Sequence, residues 1–200
     1  MRYVALFFLG LLFIGLVIFG YFSPLPFPAN SQKAETSSYH NDVYEYTVTV
    51  PEGLDIKEYL PENVVFGHID GDMVSGVVEL RAMTVRGQAG ETFLDAVARD
   101  LSNLCAADGP NASISCTGIE SSEEFRTGGL VGTELYLKAE LKEFPSGNMT
   151  GFTKGPYFVF QRQSSASGSS ILVIHAPLNQ NADEADIDTI RTVAESVVIQ

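Results

Sequence analysis

The chain has 200 residues, of which 12 are basic and 25 acidic, giving a formal net charge of −13. That balance excludes nucleic acid as a partner, because phosphate is neutralised by Lys and Arg, and it disfavours an anionic lipid surface for the same reason. There is no Trp, and no internal repeat of roughly 20 to 50 residues.

Residues 3–22, from Tyr3 to Phe22 (YVALFFLGLLFIGLVIFGYF), carry no charge. At ~1.5 Å rise per residue a helix of this length spans about 30 Å, the hydrocarbon thickness of a bilayer. The run is longer than the ~7–15 residues of a signal-peptide core. Phe27 also stands where a small residue should precede a cut after Ala29. The expectation is one N-terminal transmembrane anchor, residues 1–22, retained as a signal-anchor and held in the lipid bilayer through Tyr3 to Phe22. Gly10, Gly15 and Gly20 are five apart, so no GxxxG pairing face is implied. Residues 23–42 read as a linker, stiffened by SPLPFP and then polar without a period.

Residues 43–200 read as a single α+β domain. Residues 43–50 (VYEYTVTV) alternate as a strand and stop at Pro51-Glu52-Gly53. Residues 63–69 form a second strand, and Asp70-Gly71-Asp72 turns into a third over 74–85. In the third, Val74, Val78, Leu80 and Ala82 share one face, with Glu79 and Arg81 on the other.

The period then changes. Phe93, Leu94, Val97, Leu101, Leu104 and Cys105 recur at helical spacing, which predicts a helix over 92–107. Thr92 with Asp95 suggests a capping box, and Asp108-Gly109-Pro110 a stop. Strands follow over 113–120, 130–143, 157–163 and 171–176, with 144–156 read as a long turn region. In 130–143 (LVGTELYLKAELKE) Val131, Leu135, Leu137, Ala139 and Leu141 alternate with Glu134, Tyr136, Lys138, Glu140 and Lys142, which predicts one buried and one wet face. A second helix closes the chain over 183–198 through Ile187, Ile190, Val193, Ala194 and Val197. Asn181 suggests its cap, and Asp183, Glu184, Asp186 and Asp188 favour its positive end. Two one-sided helices on a mainly antiparallel sheet of six to eight strands make a layered α+β domain.

Cys105 and Cys116 enclose ten residues, CAADGPNASISC. A pair this close in an exported domain most simply forms a disulfide, which places the domain on the extracytoplasmic side. Two unpaired thiols in a cytosolic domain are the other reading. Asn111-Ala-Ser113 and Asn148-Met-Thr150 are N-glycosylation patterns in turn-like contexts, usable in a eukaryotic secretory chain.

Three strings stand out: Tyr46-Thr-Val-Thr-Val-Pro51-Glu-Gly-Leu54, Gly129-Leu-Val-Gly132, and the strand ending Ala176-Pro177 followed by a helix closing on Glu195-Ser196-Val197. Together they resemble the PsbP/DcrB-type domain, an α-β-α sandwich. The likeness covers roughly residues 40–200. Leu54 stands where the family commonly has Trp. The resemblance implies an accessory or binding role at a membrane complex or envelope, without catalysis and with no ligand residues carried over.

For chemistry the chain offers His40, His68 and His175, with none of the serine or metalloprotease motifs beside them. His68, Asp70 and Asp72 (HIDGD) form a compact polar cluster that could hold a hard cation, though an acidic hairpin turn accounts for it. Asn179, Asn181, Asp183 and Glu184 begin like a calcium loop, but Ile190 stands where a bidentate acid is needed, and helix capping accounts for them. No catalytic residue, metal or cofactor is assigned. The expected function is a membrane-anchored, non-catalytic binding or accessory domain with a protein partner. Its rival is a small-molecule or lipid-binding module, or a hydrolase, using a pocket between sheet and helix with His68 or His175 at its mouth.

Overall fold

The computed structural model describes residues 37–70, 73–165, 168–177 and 184–200. The expected anchor at 3–22, most of the linker, Asp72 and the 179–183 cluster lie outside them. Among the described residues no helix is long and apolar enough to cross a membrane.

In chain order the strands are β1 (Ser37–Asn41), β2 (Tyr46–Val50), β3 (Asp55–Leu60), β4 (Asn63–Asp70) and β5 (Met73–Val85). Helix α1 (Phe93–Cys105) follows, then β6 (Ala107–Asp108), β7 (Ala112–Thr127), β8 (Leu130–Glu143), β9 (Met149–Ser165) and β10 (Gly168–His175). Helix α2 (Glu184–Glu195) and β11 (Val198–Ile199) close the chain. Eight strands make one antiparallel sheet in the order β3-β4-β5-β10-β9-β8-β7-β6, and a small sheet has the order β1-β2-β11.

The large sheet is covered on both faces at its centre. Along β10, Ile171 and Val173 pack with Ala96, Val97 and Leu101 of α1. Leu172 and Ile174, between and beyond them, pack with Ile190, Val193 and Ala194 of α2 and with Tyr46, Val48 and Val50 of β2. Successive strand residues point to opposite faces, so a strand apolar at both parities needs two covers. This gives three layers: α1, the large sheet, and α2 with the small sheet.

The expectation of one wet face is therefore corrected at the centre, where Glu79 lies on a covered face and is buried. It holds along the outer part of β8, where Leu137 and Ala139 are buried and Lys138 and Glu140 exposed, but Val131, expected on the buried face, is 52% exposed near the β7–β8 turn.

Other differences have local causes. Residues 37–41, read as linker, form β1 because β2 offers them a ladder from Ser37 opposite Val50 to Asn41 opposite Tyr46. β7 runs on through Ser121–Arg126, whose polar composition reads as loop, because β8 pairs with it up to Thr127 opposite Leu130. Its hairpin turns on Gly128 and Gly129 at φ 51° and 89°, where a side chain would be strained. β9 starts at Met149, inside the expected turn region, for the same reason of pairing with β8.

Helix α1 has the expected capping box. Thr92 Oγ1 accepts from the Asp95 amide at 3.2 Å, and the Asp95 carboxylate accepts from the Thr92 amide at 3.4 Å. It ends at Cys105, ahead of the expected stop, because Ala106 is extended and leads into β6. Cys105 is bonded to Cys116, with Cα atoms 6.1 Å apart, which fastens the end of α1 to β7.

Candidate functional site

A row of polar side chains crosses four neighbouring strands on the face that α1 covers further along. The register places Val65 opposite Glu79, Glu79 opposite His175, and His175 opposite Tyr157; one step on, Asn63 is opposite Arg81. Cross-strand partners project from the same face. His175 and Tyr157 are each 1% exposed and Glu79 6%, and Lys154 is buried as well. Pro177 lies against this row. A Cβ at Gly76 would come within 2.8 Å of both Pro177 Cγ and Val65 Cγ1, so the close approach requires glycine.

Glu79 Oε1 accepts from Arg81 Nε at 3.1 Å and from Nη2 as well, so these two charges satisfy each other. His175 Nδ1 donates to the carbonyl of Ala176. That fixes the neutral ring as the Nδ1–H tautomer and leaves Nε2 an acceptor. Burial holds the imidazole pKa below its ordinary value. Glu79 and the Ala176 carbonyl oppose that shift, while Arg81 and Lys154 add to it. Burial likewise raises the Tyr157 phenol and lowers the Lys154 ammonium.

His175 Nε2, Tyr157 Oη and Asn63 Oδ1 are buried with no hydrogen-bond partner among the described residues. The Tyr157 and His175 ring centroids are 5.3 Å apart. An acceptor nitrogen beside a phenol is a hydrogen-bonding pair for a small polar guest. Glu79 is engaged by Arg81 rather than by the imidazole.

His175 was a candidate from the sequence, but the structure buries it instead of placing it at a pocket mouth. The sequence places Glu79 and Arg81 together on one face of their strand, Tyr157 at the start of the strand 157–163, and Lys154 in the turn region 144–156. One signal was available: β5 reads VVELRAMTV, apolar at both parities, which marks a strand covered on both sides.

The remaining candidates are dispersed. His68 and Asp70 are both exposed at the end of β4, and no group of three potential metal ligands occurs among the described residues. His40, in β1, meets Thr47 Oγ1 at 2.9 Å and Asp42 at 3.1 Å. Asn111 and Asn148 are exposed on adjacent turns: the Asn111 carbonyl accepts from Phe144 N at 2.7 Å, and the Asn148 carbonyl from Glu143 N at 3.0 Å. An open groove of about 350 Å³ lies between α1 and β7, lined by Arg99, Ser102, Asn103, Cys116 and Thr117 among others. It is a space between helix and sheet, with neither His68 nor His175 on it.

The feature the sequence reading missed is β3. It lies at the margin of the large sheet and, among the described residues, pairs only with β4. All six residues are exposed, with Ile56 at 39%, Tyr59 at 54% and Leu60 at 56%. Its sequence, DIKEYL, has no clean alternation, because a register shift between Glu58 and Leu60 breaks the period.

No family model and no curated protein matches this chain. Among solved structures it is similar to cyanobacterial PsbP (CyanoP) from Synechocystis sp. PCC 6803, at 15% identity and a TM-score of 0.40, covering 82% of this chain and 92% of that one. It is also similar to a protein from Bacteroides thetaiotaomicron VPI-5482, at 14% identity and a TM-score of 0.29, covering 82% of this chain and 48% of that one. The PsbP-type resemblance read from the three sequence strings is thus met again among solved structures. At these scores the likeness carries nothing about activity, and the layered architecture rests on the chain's own register and packing.

Proposed function

We propose that the chain is an extracytoplasmic domain on an N-terminal membrane anchor, acting by binding a protein partner in a membrane or envelope assembly and not by catalysis. The observation that carries this reading is β3. A marginal strand with one backbone edge unpaired among the described residues, and with exposed Ile56, Tyr59 and Leu60, suits the addition of a partner's extended segment, with backbone hydrogen bonds giving affinity and the side chains selectivity. The Cys105–Cys116 bond supports an oxidising compartment, and the uncharged run at 3–22 supports the anchor. The test is a photo-crosslinking residue at position 59 of the full chain in its native membrane, beside the same residue at 138 on the exposed face of β8. A discrete protein adduct from 59 alone is expected. Equal adducts from both positions, or none from either, would overturn the reading.

A small-molecule reading is favoured by one observation, the unpartnered His175 Nε2 and Tyr157 Oη. It requires a stoichiometric mass increment in native mass spectrometry of the detergent-solubilised chain that Tyr157→Phe abolishes.

A further inference from the structure

Arg162 is the bulged residue of β9. Gln161 lies opposite Ile171 and Gln163 opposite Ser170, so Arg162 has no cross-strand partner of its own. A bulge re-aims the side chain it carries. Here the side chain is only 7% exposed and reaches the residues that lead into β2. The Tyr44 ring centroid is 5.9 Å from Cζ, and the guanidinium is close enough to act electrostatically on Tyr46.

The ionic partner is weak. Glu45 Oε2 stands 3.8 Å from Nη2, beyond hydrogen-bond distance, and its side chain is 59% exposed. Nε is buried and has no hydrogen-bond partner among the described residues. By contrast Arg99, Arg126 and Arg191 each close on a carboxylate, at 2.5, 2.6 and 2.7 Å. A guanidinium is always charged and offers five donors, and burying it without hydrogen bonds is costly. Access is given by Glu45 itself: an exposed carboxylate approaches Nη2 from the surface, so another anion can follow the same path. Glu45 is held in place by its backbone, at φ 48° with its carbonyl accepting from Gln200 N at 3.0 Å, while its side chain makes no hydrogen bond at the guanidinium.

We propose that Arg162 anchors a subsite for an oxyanion, a carboxylate or phosphate group that takes the place of the Glu45 carboxylate beside the Tyr44 ring. Both anions match the guanidinium fork in two-point hydrogen bonding.

The test uses the full chain in neutral detergent. Sodium phosphate in one arm and sodium acetate in the other replace sodium chloride at constant ionic strength, and the Arg162 Nε–H resonance and Tm are followed. A saturable response is expected in at least one arm, lost in Arg162→Met. Glu45→Gln removes the competing carboxylate and should tighten the midpoint about two- to fivefold, the weight of an exposed ion pair. Saturation by phosphate alone would identify a tetrahedral group, by acetate alone a carboxylate, and by both the shared chemistry. A response no different from chloride, or one that persists in Arg162→Met, would overturn the proposal. Should Arg162→Met not fold, an unchanged midpoint in Glu45→Gln overturns it equally. No partner protein enters this experiment, so it fails or succeeds independently of the β3 reading.

Discussion

Neighbouring residues should respond alike to truncation on β10 and differently on β8. Leu172 and Val173 are adjacent, both fully buried, and packed in different layers. Leu137 is fully buried, but the side chain of its neighbour Lys138 is 58% exposed, with Glu120 at 3.8 Å. Leu172→Ala removes three carbons, worth roughly 2.4 kcal/mol at ~0.8 per methylene, and the cavity left behind raises that to about 3–4 kcal/mol. Val173→Ala removes two, for about 2–3 kcal/mol on the same reckoning. Leu137→Ala should match Leu172→Ala, and Lys138→Ala should stay within about 0.5 kcal/mol of the parent. At ~2–4 °C per kcal/mol for a domain of this size, the three buried truncations lower Tm by roughly 5–15 °C and the lysine one by less than about 2 °C. Near-UV circular dichroism melts of the full chain in neutral detergent would read this. Leu137→Asp, which buries an unpaired charge, should abolish the transition altogether, while Lys138→Asp should leave it nearly in place. If Val173→Ala were as silent as Lys138→Ala, α1 would not cover the centre of the sheet and the three-layer account would be wrong.

Two further outcomes follow from the buried groups. His175 is held neutral by burial among Glu79, Arg81, Lys154 and Tyr157, so its folded pKa lies below the ordinary value of 6.5. The unfolded chain therefore binds the extra proton first, and stability present above pH 6.5 is lost as pH falls below it, by at most about 1.4 kcal/mol per pH unit for this one group. Melts between pH 7.5 and 5 should show a steeper acid loss for the parent than for His175→Phe; parallel profiles would mean that this imidazole does not govern it. Reducing Cys105–Cys116, eleven residues apart, should cost about 3 kcal/mol in the chain-entropy model. Neither thiol should take up an alkylating reagent before reduction, and two freely alkylated thiols in the freshly isolated protein would contradict the bond.

Elements with one dominant face were legible in the sequence. The α1 heptad-like spacing, its Thr92–Asp95 box and the alternation of β8 each follow from local periodicity, and each appears within a few residues of its expected bounds. Elements defined by a distant partner were not. β1 and the second half of β7 are polar, and they are strands because β2 and β8 present ladders to them. β3 is exposed throughout, so no apolar pattern could mark it. The polar row failed for a different reason. Alternation puts Glu79 and Arg81 on one face of their strand but does not say what covers that face, whereas register places Glu79 between Val65 and His175 under a covered face.

The same distinction separates the two unusual arginines. Arg81 is only half-buried, and it serves the buried carboxylate of Glu79, two positions earlier on its own strand, a pairing visible once both are placed on one face. The burial of Arg162 comes from a bulge whose origin lies in how β9 meets β10, together with the approach of residues 44–46 from another layer. No local acid is positioned to match it. A charge buried by its own strand arrives with its counter-charge, while a charge buried by long-range packing must take whatever the other layer offers. For Arg162 that is an aromatic face and an exposed carboxylate beyond hydrogen-bond reach, which is the arrangement an incoming anion can improve.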